Sequence, residues 1–376
     1  MYDVVVVGGG PAGATLARLV GGRLRTLLVE RRSARTRRDG PGTAKCCGGL
    51  LAPDAQKALA ALGLGVPQDV LAGPQLFAVR ALDVASGIVR HYQRSYLNVD
   101  RGRFDAWLRA LVPPRVDVRE GCRVTAVRDE GDHAAVALEW AGGAEVVRAR
   151  LVVGADGAGS RIRRQSFPFA REPATYLAIQ EWFEASRADP CYTALFDPTV
   201  TDFYAWAIPK GDRIVVGAAL RPGPGASARF GALLAALPRL GVRLGRSFGR
   251  EGTLLHRPRR AGEIVTAGAH VALVGEAAGF VSPSSAEGVS YALRSARALA
   301  RALGPGLEGW QPRYARETAS LRWNVRVKAL KSPVLYVPLL RRAVIASGAR
   351  AIEVGAPPEG PLRLGAMGPE PEPVQR

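Results

Sequence analysis

The first residues of the chain carry a pattern that can bind the phosphates of a dinucleotide. Four consecutive valines at positions 4–7 predict a fully buried parallel strand. The loop that follows has GxGxxG spacing and reads Gly8-Gly9-Gly10-Pro11-Ala12-Gly13. Gly8 allows a tight turn, Gly10 lets the backbone approach a pyrophosphate, and Gly13 lets the next helix pack against the strand. We assign Gly8, Gly10, Pro11, Ala12 and Gly13 to the cofactor site, because the start of that helix offers free N–H groups and a positive dipole to phosphates.

A carboxylate after the second predicted strand, 26–29, indicates which nucleotide binds. Glu30 stands at the tip of this strand, where it can accept hydrogen bonds from both hydroxyls of an adenosine ribose. Its charge would repel a 2′-phosphate, so NADP is not the bound nucleotide. Arg31 is assigned to the same site. The order of strand, glycine loop, helix and acid favours dinucleotide binding over a glycine-rich turn in an ordinary α/β core.

Two later segments also predict a buried strand that ends in a tight, acidic, glycine-rich turn. They are 151–161, LVVGADGAGSR, and 271–280, VALVGEAAGF, the second being followed by Pro283 and by Ala286-Glu287-Gly288-Val289. With the start of the chain, these segments resemble the three FAD fingerprints of the flavoproteins typified by p-hydroxybenzoate hydroxylase. The resemblance implies FAD as the cofactor.

The same resemblance gives residues of both segments a place around the cofactor. Asp156 would lie near the FAD and a passing nicotinamide, and Gly275 and Glu276 would hold the pyrophosphate and ribityl chain. A helix starting near Gly288 would direct its N-terminus at the isoalloxazine, where its dipole stabilises the charge of reduced flavin. Glu276 departs from the usual Asp, so its contact must shift. The cofactor residues assigned from these segments are Asp156, Gly157, Gly275, Glu276, Gly279, Gly288 and Val289.

Residues 98–108 resemble the segment of these flavoproteins in which an arginine at the start of a helix reaches the FAD. Arg101 is the predicted contact and Arg103 is the alternative. A solvated arginine on a helix face is the competing interpretation of either residue.

Two more segments resemble a narrower family, the geranylgeranyl reductases. Residues 44–51 read AKCCGGLL and residues 204–210 read YAWAIPK. They are similar to the K-x-C-G-G and Y-x-W-x-F-P-K stretches of that family, with Ile208 in place of the usual Phe. With the FAD motifs, the resemblance spans roughly residues 1–320.

This narrower resemblance implies a catalytic site made of Cys47, Tyr204 and Trp206. A thiol near reduced flavin can donate or relay a proton after hydride transfer to a double bond; the alternative is a buried, inert thiol. Strand alternation over 203–208 places Tyr204, Trp206 and Ile208 on one face, which suits an isoprenoid chain, although such a stripe can also be ordinary core. Lys45 is assigned to the flavin or a substrate phosphate, with a solvated lysine as the alternative.

The fold class predicted is α/β: a Rossmann-like FAD-binding domain of the glutathione reductase/p-hydroxybenzoate hydroxylase type, with an inserted antiparallel β-sheet substrate domain and C-terminal helices. A basic, apolar stretch near the end of the chain either rests on a membrane surface or closes the substrate cavity. The predicted boundaries are 1–72, 99–168 and 250–320 for the FAD-binding domain, 73–98 and 169–249 for the substrate domain, 321–356 for the helical segment and 357–376 for a disordered tail.

Composition excludes several classes of function. The net charge is +19 over 376 residues, but the excess is mostly arginine, which rises together with alanine and glycine, and no nucleic-acid-binding motif accompanies it. The four cysteines form no CxxC pair, so no metal site is expected. No signal peptide or transmembrane helix is predicted. We therefore expect a cytoplasmic protein, with peripheral contact to the inner face of the membrane as an open alternative.

The sequence thus favours an FAD-dependent reductase that saturates carbon–carbon double bonds of an isoprenoid or polyprenyl lipid. NAD(P)H or a reduced electron-carrier protein would supply the electrons, because no second GxGxxG follows a predicted strand, as a dedicated nicotinamide domain would require. The alternative is an FAD-dependent monooxygenase or dehydrogenase acting on an aromatic or polyketide-like metabolite. A flavoprotein that only binds or carries electrons is a third interpretation.

Overall fold

The computed structural model describes residues 1–33, 46–185 and 191–354. Lys45 and the predicted tail at 357–376 lie outside these ranges. The strands are β1 (Tyr2–Val7), β2 (Thr26–Glu30), β3 (Leu50–Leu51), β4 (Leu76–Asp83), β5 (Ile88–Asn98), β6 (Asp117–Glu120), β7 (Cys122–Asp129), β8 (Ala134–Trp140), β9 (Gly143–Gly154), β10 (Ala174–Ala185), β11 (Tyr192–Phe196), β12 (Ala205–Lys210), β13 (Arg213–Leu220), β14 (Leu244–Arg257), β15 (Val271–Leu273) and β16 (Ala351–Ile352). The helices are α1 (Pro11–Val20), α2 (Pro53–Ala60), α3 (Arg101–Ala110), α4 (Arg161–Ser166), α5 (Ala226–Ala236), α6 (Val289–Ala302), α7 (Trp310–Glu317), α8 (Ala319–Lys331), α9 (Pro333–Tyr336) and α10 (Pro338–Ser347).

The first sheet contains the parallel strands of the predicted FAD-binding domain, in the order β6-β2-β1-β9-β15. Its apolar strands are buried because α1 and α6 cover one face and an antiparallel meander of β7, β8 and the first half of β9 covers the other. The carboxyl ends of β1, β2, β9 and β15 meet at one edge. This arrangement brings the three sequence fingerprints together, as the predicted fold class requires.

The second sheet has the order β14-β10-β13-β12-β11-β4-β5-β16, with β3 added beside β5. The predicted antiparallel sheet is confirmed in most of its strand pairs, but β4 and β11 pair in parallel. These two strands lie in separate parts of the chain, so no short hairpin forces them to be antiparallel. The predicted alternation around β12 is confirmed: Tyr204, Trp206 and Ile208 share one cluster, whereas Ala205 and Ala207 belong to the cluster beneath α5.

Of the C-terminal helices, α7 and α8 pack on the FAD-binding core, whereas α9 and α10 lie against the second sheet. Pro333 and Pro338 occupy the first positions of α9 and α10, where the missing N–H costs no helical hydrogen bond. Arg341 of α10 forms a buried ion pair with Asp83 of β4, at 3.3 Å. Among the described residues, none of the helices is both long and apolar enough to cross a bilayer.

Candidate active site

A cavity of about 1530 Å³ is lined by residues of both sheets. Its cofactor end is formed by the turns that follow β1, β2 and β9 and by the start of α6, and its other end by the aromatic face of the second sheet. The loop around Cys47 and the N-terminus of α3 line it as well. One cavity therefore contains most of the residues that the sequence assigned to the cofactor and to catalysis.

The glycine loop leaves room for a pyrophosphate. Gly8 has φ +108° and a Cβ there would lie 2.6 Å from the carbonyl oxygen of Ala155, while a Cβ at Gly13 would overlap the carbonyl oxygen of Gly8. Gly10 behaves differently, since a Cβ on it would meet no protein atom within 4 Å. Gly10, Pro11 and Ala12 line the cavity. Open space in front of a helix N-terminus fits a dinucleotide phosphate, so the residues present suit FAD at this end.

Glu30, the predicted ribose contact, is held at the end of β2 by backbone groups. Its carboxylate accepts hydrogen bonds from the N–H of Gly9, at 2.7 Å, and of Arg32, at 2.9 Å. Arg109 of α3 donates to the carbonyl oxygen of Gly9, at 2.7 Å, and thereby supports the same loop. Sequence reasoning missed Arg109, whose only signal is its position two turns after Arg101 on a helix already assigned to the site. Arg31 is exposed and lies at the edge of the cavity.

Asp156 lines the cavity and also accepts hydrogen bonds from the N-terminal turn of α4. Its carboxylate accepts hydrogen bonds from the Ser160 hydroxyl, at 2.5 Å, and from the backbone N–H of Arg161, at 2.8 Å. Burial raises the pKa of Asp156, and these hydrogen bonds oppose that rise. Gly157 lines the cavity beside it. The structure therefore gives Asp156 a definite structural task, and its contact with cofactor or nicotinamide stays a prediction.

Of the predicted residues in the turn after β15, only Glu276 lines the cavity. Its carboxylate accepts a hydrogen bond from the backbone N–H of His256, at 3.0 Å. Gly275 and Gly279 lie behind the cavity wall, where a Cβ would be 3.1 Å from the Cβ of Ala12 and 2.7 Å from a backbone oxygen, respectively. Gly288 and Val289 open α6 at the cavity. The free N–H groups of this helix end are available to a negatively charged group.

Cys47 lines the cavity and interacts with two basic side chains, Arg101 and Lys210. Arg101 interacts with the Cys47 thiol and forms an ion pair with Asp105, at 2.9 Å. Burial alone would lower the pKa of Arg101, but Asp105 and Cys47 outweigh it and raise the pKa. Lys210 is the second cation: burial lowers its pKa to about 7, against the opposing effects of Cys47 and Asp100. Neighbouring cations favour the thiolate form of a cysteine.

The two segments that resemble the reductase family pack directly against each other. The Lys210 ammonium donates to the carbonyl oxygens of Val99, at 2.9 Å, and Gly49, at 3.3 Å, and also to the side-chain oxygen of Asn98. A Cβ at Gly49, which has φ +63°, would lie 2.6 Å from the Lys210 nitrogen, and a Cβ at Gly48 would lie 2.5 Å from Cδ1 of Ile208. Lys210 was not among the predicted site residues, although it closes the segment quoted for the resemblance.

Arg101 and Arg103 have separate environments. Arg103 is exposed and donates to the carbonyl oxygen of Asp69, at 3.1 Å, whereas Arg101 is enclosed beside the thiol. The geometry therefore favours the first of the two predicted arginines as the site residue. Cys46, the neighbour of Cys47, is a buried thiol whose sulfur points toward the carbonyl oxygen of Ala178.

An aromatic wall forms the far end of the cavity. Its members are Tyr96, Tyr192, Phe196, Tyr204, Trp206 and Tyr336. Tyr204 donates its hydroxyl proton to the carbonyl oxygen of Ser285, at 2.6 Å, and burial raises its pKa well above the usual value. The Trp206 indole packs on Gly217, whose Cβ would lie 2.5 Å from the indole nitrogen. Both predicted residues therefore contribute ring surface to the cavity.

A polar cluster interrupts this wall near the start of α6. Glu287 accepts hydrogen bonds from the Tyr96 hydroxyl, at 2.9 Å, and from Arg94, at 3.1 Å. Ala286, the residue before it, has φ +52°, an uncommon conformation for a residue with a side chain. Sequence reasoning did not assign Glu287, although it lies inside the motif quoted at 286–289.

Comparison with known proteins agrees with this geometry. A family model described as an FAD binding domain matches residues 108–225. A geranylgeranyl bacteriochlorophyll reductase-like protein from Thermoplasma acidophilum superimposes with a TM-score of 0.77, 20% identity, and coverage of 91% of this chain and 90% of that chain. A probable FAD-dependent monooxygenase from Pseudomonas aeruginosa, PqsL, gives a TM-score of 0.67, 22% identity, and coverage of 92% and 98%. These likenesses show a common fold.

The fold and the site define a flavoprotein, an FAD-dependent oxidoreductase with the p-hydroxybenzoate hydroxylase type of FAD-binding domain. Within that class the sequence is similar to a protein called CbrA from Escherichia coli O6:H1, with 37% identity over 347 residues, which are 92% of this chain and 93% of the relative. The chain belongs to the CbrA family.

Proposed function

We propose that this flavoprotein reduces carbon–carbon double bonds of an isoprenoid or polyprenyl lipid. The observation that carries the proposal is the Cys47 thiol, which lines the cavity and interacts with Arg101 and Lys210. A proton source in the cavity is what a reduction by hydride transfer requires. The fold shared with a geranylgeranyl bacteriochlorophyll reductase-like protein supports the same substrate class.

The protein's part in the reaction is to hold the reactants and the proton. Reduced FAD, when bound, supplies a hydride equivalent to one alkene carbon. The start of α1 and Glu30 would hold its pyrophosphate and ribose, and the start of α6 would face its ring. Cys47 Sγ holds the proton that the second alkene carbon takes up. Arg101, joined by Lys210 when it is protonated, then stabilises the thiolate that remains, until a proton from solvent restores the thiol.

The aromatic wall fits an apolar substrate because the hydroxyl groups of Tyr96, Tyr204 and Tyr336 already have hydrogen-bond partners. Tyr204 and Tyr336 donate their hydroxyl protons to the carbonyl oxygens of Ser285 and Ser284, each at 2.6 Å. The rings contribute surface to the cavity, where a polyprenyl chain gains burial. The indole N–H of Trp206 is buried without a hydrogen-bond partner among the described residues. Glu287 and Arg94 would then mark the polar end of the substrate path.

The test uses the purified holoprotein, reduced without oxygen and mixed with a panel of polyprenyl lipids. We expect flavin reoxidation, followed by absorbance, and a lipid product two hydrogens heavier. Cys47→Ala should slow product formation by about 10²–10⁴-fold, the usual effect of losing a general acid, with flavin content unchanged. Cys46→Ala is the matched control and should keep the rate. Equal rates in the two variants would remove Cys47 from the mechanism.

A second candidate is a monooxygenase or dehydrogenase acting on an aromatic or polyketide-like metabolite. The tyrosine-rich wall can also stack on an aromatic ring, and the fold is shared with a probable FAD-dependent monooxygenase. In that case no lipid would reoxidise the reduced protein, and labelled O₂ would be incorporated into an aromatic product when air is admitted. We propose NAD(P)H or a reduced electron-carrier protein as the electron donor, to be separated by the rate of flavin reduction with each.

A further inference from the structure

The outer face of the C-terminal helices exposes large apolar side chains. On α8, Trp323 is 65% and Leu330 is 80% exposed, and on α10 Leu339 is 79% exposed. Soluble surfaces carry such residues singly, whereas here they follow one another along three consecutive helices. The C-terminal apolar surface consists of Trp323, Leu330, Val334, Val337, Leu339, Leu340 and Val344.

Helix α8 is apolar on two opposite faces, and only one of them packs on the protein. Leu321 and Val325, four residues apart, are buried against the FAD-binding core. Trp323 and Leu330, seven residues apart, lie on the opposite face, and Arg326 lies beside them. Packing within the described residues therefore does not account for the outer face.

The charge of this region has a single sign. Between Ala319 and Ile352 the sequence has seven basic residues and no acidic residue. Two of the seven form ion pairs, Lys328 with Asp54 and Arg341 with Asp83, and Arg322 donates to Thr266. The remaining four are Arg326, Lys331, Arg342 and Arg350, all of them exposed.

We propose that the C-terminal apolar surface docks on an anionic phospholipid bilayer. Apolar side chains that include a tryptophan, surrounded by exposed cations, are what an interfacial helix presents to a membrane, and each cation near an anionic leaflet adds to the attraction. A second copy of the chain is a poor occupant, because two surfaces of the same positive sign would repel each other.

The docked orientation would place the bilayer directly outside the cavity. Val344 belongs to the apolar surface and also lines the cavity. Leu335, Tyr336 and Ile345 of the same helices line the cavity from within. A lipid leaving the bilayer would thus need to pass only this helical layer. The docking itself is independent of the proposed reaction, because binding to vesicles can be measured without turnover.

The test is co-sedimentation of the full-length holoprotein with vesicles of phosphatidylcholine alone and of phosphatidylcholine containing phosphatidylglycerol. We expect binding only to the anionic vesicles, weakened by salt. The variant Leu330→Ser/Leu339→Ser/Leu340→Ser and the variant Arg326→Gln/Lys331→Gln/Arg342→Gln should each bind at least tenfold more weakly. Unchanged flavin content shows that each variant is folded.

The matched control is Phe169→Ser, which removes a fully exposed phenylalanine elsewhere and should bind as the parent does. Equal binding to neutral and anionic vesicles, or no binding at all, would overturn the proposal. Binding by a chain truncated after Val354, but not by the full chain, would assign the surface to residues 355–376 instead. Dimerisation that the leucine variant abolishes would assign the surface to a second copy.

Discussion

Lys210 provides a direct test of the charge environment around Cys47. Burial lowers the pKa of Lys210 to about 7, compared with about 10.4 for a lysine in an unfolded chain. Between these two pH values the unfolded chain carries a proton on Lys210 that the folded protein lacks. Stability must therefore rise with pH over this interval, and the cost of charging the buried lysine is fully present below pH 7.

The expected magnitude follows from one proton. A difference of one bound proton changes the free energy of unfolding by about 1.4 kcal/mol per pH unit. Between pH 7.5 and pH 9.5 the wild-type protein should therefore gain up to about 3 kcal/mol relative to Lys210→Met, which has no proton to lose. The variant also loses the hydrogen bonds to Val99, Gly49 and Asn98. That loss changes the difference in unfolding free energy by the same amount at every pH, so the slope against pH is unchanged.

The assay is urea unfolding of both proteins at several pH values, with the difference in unfolding free energy plotted against pH. Because removing Lys210 also changes the surroundings of the Cys47 thiol, the same pair is compared in a Cys47→Ala background. A rising difference in both backgrounds supports a lysine that is neutral above pH 7. A flat difference from pH 6 to pH 9.5 would show that Lys210 keeps its proton, and the description of the thiol environment would have to change.

Three further variants test a close contact, the cofactor loop and a buried ion pair. Gly48→Ala should destabilise the protein by about 1–3 kcal/mol, because its Cβ would lie 2.5 Å from Cδ1 of Ile208; Ile208→Val removes that atom and should recover part of the loss in a double-variant unfolding cycle. Gly10→Val should leave the far-ultraviolet circular dichroism intact but weaken FAD binding at least about tenfold in flavin titrations, and unchanged affinity would contradict the assigned pyrophosphate position. Arg341→Met should cost about 3–5 kcal/mol in unfolding because it leaves Asp83 buried without its partner, and Arg341→Met with Asp83→Leu should restore much of that stability.

The FAD-binding half of the fold could be predicted because its chemistry is local in the sequence. The GxGxxG loop, the acid at the end of β2 and the two acidic turns each combine a buried strand with a turn that only a few residue types can form. Parallel strands of one sheet end at the same edge, so predicting the strands also predicted that Gly8, Glu30 and Glu276 would meet. The alternation in β12 was visible for the same reason, since it depends only on neighbouring positions.

The site residues that the sequence did not predict are recognised only by contacts between distant segments. Lys210 donates hydrogen bonds to Gly49 and Asn98. Arg109 donates a hydrogen bond to Gly9. Glu287 accepts hydrogen bonds from two side chains of β5. A single sequence shows each of these as an ordinary polar residue on a helix, strand or loop. The parallel pairing of β4 with β11 was missed for a related reason, because register between remote strands is set by tertiary packing.

Glu276, which stands where the resembled flavoproteins usually have Asp, connects two parts of the structure. The methylene that distinguishes Glu from Asp extends the side chain by about 1.5 Å, and the Glu276 carboxylate uses this reach to accept a hydrogen bond from the backbone N–H of His256, at 3.0 Å. Burial lowers the pKa of His256, against the opposing effect of the Glu276 carboxylate, and the His256 Nδ1 lies 3.4 Å from the Glu276 carbonyl oxygen. His256 belongs to β14. Because β14 lies in the second sheet, Glu276 joins the turn at the cofactor end of the cavity to the sheet that carries the aromatic wall.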